Sequence, residues 1–176
     1  AVESQLTTKT KLIVPIHTYG NVCEMDKILA LGKAHHVDIL EDAAEALFSR
    51  YMGRLAGTLG TLGSYSFQAT KTITTGEGGM VVTNDRELDI KMRLYRSHGM
   101  DQKRYWHEVP GHNFRLTNLQ AALGCAQFEH LGEIISERRR VHEIYRNLLG
   151  EVSGLILQNF TSQVEPVLWA MAVRID

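Results

Sequence analysis

The stretch Lys11-Leu12-Ile13-Val14-Pro15-Ile16-His17, read together with Val37-Asp38-Ile39-Leu40-Glu41-Asp42, decides the fold. Both runs are short, apolar and rich in β-branched residues, and Tyr19-Gly20-Asn21 marks a turn after the first. Between them Met25, Ile28, Leu29 and Leu31 recur at helical spacing, so residues 23–36 are expected to form a helix. Glu24 and Asp26 near its start suit the positive end of the helix dipole. Strand, helix and strand joined by short links make a βαβ unit with two parallel strands and a right-handed crossover.

Working outward, Gly53, Gly57, Gly60 and Gly63 punctuate the next segment and predict a hairpin or loops. Tyr65-Ser66-Phe67 and Gly79-Met80-Val81-Val82-Thr83 read as further strands. Asn84-Asp85 caps a helix expected to run through about residue 97. From Thr117 the apolar spacing is helical again, over Leu119, Ala122, Leu123 and Ala126 and then Ile134 to Leu148, with Gly132 expected to break it. Residues 167–176 read as a strand with no closing turn, and the first residue is not methionine. The chain is therefore expected to be a piece of a longer protein. The fold class is α/β, with a central, mostly parallel sheet flanked by helices.

Bulk properties exclude several functions. With 19 basic against 20 acidic residues the net charge is −1, which offers no footprint for nucleic acid or an anionic membrane. Arg138-Arg139-Arg140 lies between Glu137 and Glu143 and reads as a solvated helix face. Two distant cysteines do not make a disulfide framework, so a cytoplasmic setting is expected. No apolar run is long enough to span a bilayer, and the histidines show no metal-ligand spacing. His98, ahead of Gly99, reads as a residue at a helix C-terminus.

The chemistry centres on Lys71, which stands between Ser64-Tyr65-Ser66-Phe67 and Thr74-Thr75-Gly76-Glu77-Gly78-Gly79. Glu41-Asp42-Ala43-Ala44-Glu45 lies upstream at the end of a strand. Pyridoxal 5′-phosphate chemistry needs such parts: a lysine amine able to attack an aldehyde, a carboxylate against the pyridine nitrogen, and hydroxyl and backbone donors for the phosphate. Lys71, Asp42 and Ser66 are candidates for these roles, with Glu45 over the ring or near its 3-hydroxyl. Taken singly, each has a plain alternative. A lysine beside glycines is often an exposed turn residue, Asp42 can simply end a strand, and the glycine run lacks the ending of a P-loop.

The segments Glu41-Asp42-Ala43-Ala44-Glu45, Gly57-Thr58-Leu59-Gly60, Ser64-Tyr65-Ser66-Phe67, Lys71, Thr74-Thr75-Gly76-Glu77-Gly78-Gly79-Met80-Val81-Val82 and Arg115-Leu116-Thr117-Asn118-Leu119-Gln120 together resemble the DegT/DnrJ/EryC1/StrS family of sugar aminotransferases. The likeness runs over residues 12–149. It implies the large domain of a fold-type-I, aspartate-aminotransferase-like enzyme that uses pyridoxal phosphate. The implied reaction moves an amino group from L-glutamate to C4 of a nucleotide-linked 4-keto-6-deoxy sugar. Lys71-Thr72-Ile73 and Tyr105-Trp106-His107-Glu108-Val109 lean toward members acting on GDP-linked 4-keto-6-deoxymannose.

The resemblance makes Lys71 the cofactor lysine, Asp42 the pyridinium partner and Ser66 a phosphate ligand. Asn113 becomes the residue that reaches across a homodimer interface to the partner's cofactor phosphate, and Arg115 a substrate or donor carboxylate ligand. Glu45 falls where many members carry glutamine or histidine. The implied division is a partial large domain over 1–116, linking helices over 117–150, and the start of a small domain over 151–176. Two other functions stay open: a related sugar dehydratase, in which histidine replaces the lysine, and an inactive or dimerisation remnant of the same fold.

Overall fold

The computed structural model describes residues 1–101, 103 and 105–176. Strand β1 (Leu12–Ile13) leads through a turn into helix α1 (Met25–His35) and strand β2 (Asp38–Asp42). The two strands pair in parallel, Leu12 with Asp38 and Ile13 with Ile39, as the βαβ reading requires. Helix α1 stops because His36 turns left-handed at φ 53°, and Val37 closes the end by donating its N–H to the Gly32 carbonyl at 2.9 Å.

Strands β3 (Arg50–Tyr51) and β4 (Arg54–Leu55) form the expected hairpin. Met52 and Gly53 between them both have positive φ, the conformation that two-residue hairpin loops favour. Strand β5 (Leu62–Ser66) then inserts parallel beside β2, with Asp42 opposite Ser64. Strand β6 (Gly79–Val82) pairs with it antiparallel. The sheet order β1-β2-β5-β6 is thus mostly parallel. This tight assembly needs glycine at position 63, where an added Cβ would stand 1.8 Å from the Gly57 carbonyl oxygen.

Helix α2 (Arg86–Arg96) begins where Asp85 accepts hydrogen bonds from the N–H groups of Glu87 and Leu88. Helix α3 (Asn118–Glu129) opens on a capping box between Thr117 and Gln120. Helix α4 (Leu131–Leu149) follows after His130, not at Gly132 as the sequence suggested. His130 closes α3 by donating to the Gln127 carbonyl at 3.1 Å. Gly132 lies in the first turn of α4, where the backbone N–H groups have no intrahelical partner to lose.

The C-terminal stretch also departs from expectation. Only Val173–Ile175 is a strand (β9), paired with β7 (Leu155–Leu157). Val167 and Leu168 are buried instead, and β8 (Val164–Glu165) adds to the β3–β4 hairpin. Val164 joins Val22, Met25, Ile39, Ala43, Ala46, Tyr51 and Ala56 in one core. No helix among the described residues is long and apolar enough to cross a membrane.

Candidate active site

The parallel strands β1, β2 and β5 present their carboxyl ends on one edge, where ligands of open α/β sheets bind. Asp42 is pinned there on both sides of its backbone. Its N–H donates to the Pro15 carbonyl at 2.9 Å, and its carbonyl accepts from His17 at 3.0 Å. Its Oδ1 takes the Ala44 N–H at 3.1 Å, and among the described residues Oδ2 takes no hydrogen bond. One strand over, Ser66 ends β5 and accepts the Gln68 N–H on Oγ at 3.3 Å, leaving its own hydroxyl proton to give.

The chain then loops out and returns. Phe67 donates to the Gly78 carbonyl at 2.8 Å and accepts from Thr75 at 2.9 Å, so the loop carrying Lys71 is tied at its neck. Buried Thr72, Ile73 and Thr75 anchor it, and Gln127 of α3 bonds both the N–H and the carbonyl of Thr74. Lys71 is no exposed turn residue: only 13% of its side chain is open to solvent.

The Lys71 amine stands 4.0 Å from Glu45 Oε1 and 3.9 Å from the centre of the Trp169 ring. Glu45 is steadied by the Tyr19 N–H, which donates to Oε2 at 3.0 Å. Tyr19 pays for that contact with a left-handed backbone at φ 53°, a strain of about 1 kcal/mol for a non-glycine residue. Its ring stacks on Trp169 with 7° between the planes. The indole N–H of Trp169 in turn donates to the Thr70 carbonyl at 2.8 Å. Arg138 of α4 closes the circuit by donating to the carbonyls of Lys71, Leu168 and Trp169 at 3.0–3.3 Å.

Arg138 therefore corrects the reading of its run as a solvated face. It is half-buried, and burial pulls its guanidinium below the ordinary value. Arg139 is exposed, and Arg140 pairs with Glu137 as a surface residue does.

Beneath Asp42 lies a buried polar unit that the sequence did not reveal. The side chains of His17 and Glu41 are both fully buried, with Nε2 and Oε2 2.9 Å apart. The Cys23 N–H donates to His17 Nδ1 at 3.3 Å, so the ring proton sits on Nε2 and goes to the carboxylate. Glu41 also accepts from the N–H groups of Gly57, Leu59 and Gly60 at 2.6–2.9 Å. Burial works to raise the Glu41 carboxyl. The His17 and backbone donors outweigh it and hold the group below its ordinary value. Glu41 thus fixes both the loop after β4 and the turn that supports Asp42.

The structure brings Lys71, Glu45, Asp42 and Ser66 to one edge. Asn113 and Arg115 lie elsewhere, exposed beyond the end of α2, where Arg115 Nε donates to Asn113 Oδ1 at 3.3 Å. Among the described residues no hydrogen bond or ion pair joins either of them to Lys71, Asp42 or Ser66. His98 is the left-handed residue that terminates α2, at φ 62°: Gly99 donates its N–H to the Leu94 carbonyl at 2.9 Å, and the His98 carbonyl accepts from His107 Nδ1 at 2.7 Å. Among the described residues, surface cavities of about 500, 610 and 540 Å³ are found, and none of these is lined by Lys71. Among the described residues no group of three or more His, Cys, Asp or Glu could hold a metal ion.

A mostly parallel sheet of this order flanked by helices is the fold of the large domain of fold-type-I transferases. The chain belongs to the DegT/DnrJ/EryC1/StrS aminotransferase family, whose sequence signature matches residues 1–176. It is similar to the GDP-perosamine synthase of Caulobacter vibrioides, 42% identical over 176 residues, covering 99% of this chain and 47% of the relative. The GDP-perosamine synthase of Escherichia coli O157:H7 is 44% identical over 146 residues, 82% of this chain and 40% of the relative. Among solved structures, the Helicobacter pylori aminotransferase PseC, involved in pseudoaminic acid biosynthesis, superimposes with a TM-score of 0.94 at 31% identity. That match covers 99% of this chain and 48% of PseC. The chain spans about half the length of the curated relatives it matches.

Proposed function

We propose that the chain is the lysine-bearing part of a pyridoxal-phosphate-dependent aminotransferase that moves the amino group of L-glutamate to C4 of a nucleotide-linked 4-keto-6-deoxy sugar. The substrate is GDP-4-keto-6-deoxymannose and the product GDP-perosamine. The observation that carries this reading is the enclosed amine of Lys71 at the strand edge that also bears Asp42 and Ser66. The 42–44% identity to proteins named GDP-perosamine synthase supports the choice of sugar.

The residues fit the cofactor by their chemistry. Asp42 keeps one carboxylate oxygen without a hydrogen bond, suited to a protonated pyridine nitrogen. Ser66 has a hydroxyl proton to give a phosphate oxygen. Lys71 supplies the amine. When bound, the cofactor supplies an electron sink for the carbon that loses a proton. Lys71 Nζ then takes a proton from the donor carbon and delivers one at the sugar carbon. Asp42 keeps the ring nitrogen protonated throughout, Glu45 borders the ring, and Arg115 holds a carboxylate.

Residues 1–116 make up the cofactor-binding large domain in this reading, 117–150 are the helices linking it to the small domain, and 151–176 begin that small domain, with Val164 packed into the core of the first. The enzyme works in the cytoplasm as a homodimer. Asn113, exposed and apart from Lys71, reaches the partner subunit's cofactor phosphate. Large apolar side chains left exposed on α3, among them Leu119 and Phe128, suit burial against further polypeptide or a second subunit. Lys71 argues against the dehydratase alternative, which requires histidine at that position.

The test is a coupled assay of 2-oxoglutarate release from L-glutamate, run on the full-length protein with GDP-, dTDP- and UDP-linked 4-keto-6-deoxy sugars. Turnover with the GDP sugar supports the full reading. Turnover with another nucleotide alone overturns the choice of substrate. No turnover with any, and no visible absorption after adding pyridoxal phosphate, overturns the function.

A further inference from the structure

We infer that Trp169 is a positioning residue for Lys71: its ring sets where the amine stands, and its indole N–H holds the loop that presents it. The inference rests on the reading of Lys71 as the cofactor lysine. Its basis is a set of independent contacts from three parts of the chain. The ring lies 3.9 Å from Nζ, and the indole N–H reaches the Thr70 carbonyl at 2.8 Å. Tyr19 also stacks on the indole with 7° between the planes, so the ring does not swing freely.

The backbone is fixed as firmly as the ring. Arg138 donates to the Trp169 carbonyl at 3.0 Å and to the Lys71 carbonyl at 3.3 Å, so one guanidinium sets the spacing between the two residues. Val167, two residues earlier, is buried and bonded through its N–H to Ser49 Oγ at 2.9 Å. Gly20 permits this approach, because an added Cβ there would meet the Val167 carbonyl oxygen at 2.9 Å. A lysine on a flexible four-carbon stem has many positions for its amine. Glu45 at 4.0 Å and the indole at 3.9 Å reduce them to the region where both contacts are kept.

The experiment is reductive methylation of the full-length protein, first freed of pyridoxal phosphate so that the Lys71 amine is available, with isotope-labelled formaldehyde and cyanoborohydride, read by NMR and by peptide mapping. The Lys71 methyl resonance is expected upfield of the other lysines, shifted by the indole ring current. In Trp169→Leu that shift is lost, and Lys71 reacts about fivefold faster, the equivalent of about 1 kcal/mol of cation–π attraction. Trp169→Phe keeps a ring but not the Thr70 bond, and is expected to retain part of the shift with an intermediate rate.

A Lys71 resonance lying among those of the other lysines in the unaltered protein overturns the inference, as does an unchanged rate in a folded Trp169→Leu. A parallel sample treated with pyridoxal phosphate and borohydride separates the two claims. Label on Lys71 without the ring-current shift removes only the role of Trp169. Absence of label on Lys71 removes the reading on which that role rests.

Discussion

Replacing Glu41 by Gln should destabilise the protein by about 3 kcal/mol without changing the size of any side chain. The carboxylate accepts from His17 and Gly57 on Oε2 and from Leu59 and Gly60 on Oε1. An amide has one oxygen, so in either orientation its NH₂ faces two donors. Two buried N–H groups are left without an acceptor, at roughly 1–3 kcal/mol each, before partial relaxation of the loop. His17 cannot rescue the pair by moving its proton to Nδ1, because that nitrogen accepts the Cys23 N–H. The loss is a large fraction of a typical stability of ~5–15 kcal/mol.

Urea unfolding followed by tryptophan fluorescence measures it, and pH gives a second reading. The Glu41 carboxyl lies below its ordinary 4.5 when folded. Its contribution is therefore complete above the unfolded value and drains away as pH falls through the folded one. The gap between parent and Glu41→Gln should narrow as pH falls below 4.5. A variant within about 0.5 kcal/mol of the parent, the range of ordinary surface substitutions, would refute the reasoning. So would a gap that widens as pH falls below 4.5.

Two other changes probe the frame that carries the site. Gly63→Ala places its methyl 1.8 Å from the Gly57 carbonyl oxygen, a backbone atom that cannot step aside, whereas Gly53→Ala meets no atom within 4 Å. Thermal melting should rank Gly63→Ala far below Gly53→Ala, whose positive φ alone costs about 1 kcal/mol; the reverse order contradicts the packing. Tyr51→Phe removes a buried hydroxyl that donates to Asp26 at 2.5 Å, and should cost about 1 kcal/mol in the same assay. That bond and burial push the Tyr51 phenol up to about 12, so an alkaline absorbance titration of the six tyrosines should lose a late-titrating group in this variant.

The elements that local physics determines were legible. The change from strand to helical spacing around Met25 announced the βαβ unit, and Asn84-Asp85 announced α2 through its cap. Lys71, Asp42 and Ser66 were candidates by their chemistry along one short stretch, but each had a plain alternative, and only the family resemblance gave them their expected roles. What stayed hidden depends on contacts between distant segments. His17 and Glu41 are 24 positions apart, and Trp169 lies 99 positions from the carbonyl it holds. Arg138, Arg139 and Arg140 carry the same side chain to three fates, and only the direction each takes from α4 separates them. Residues 167–168 looked like strand because they are apolar, but their burial comes from the core around Ser49 and Gly20.

The central claim is that Lys71 is the residue to which the cofactor binds, and its most direct test is chemical. The full-length protein is incubated with pyridoxal phosphate, fixed with borohydride, digested and mapped by mass spectrometry. A stoichiometric pyridoxyl mass is expected on the peptide containing Lys71, absent from Lys71→Ala, with the remaining lysines essentially unlabelled. Label spread over the surface lysines, or unchanged labelling and colour in Lys71→Ala, would contradict it.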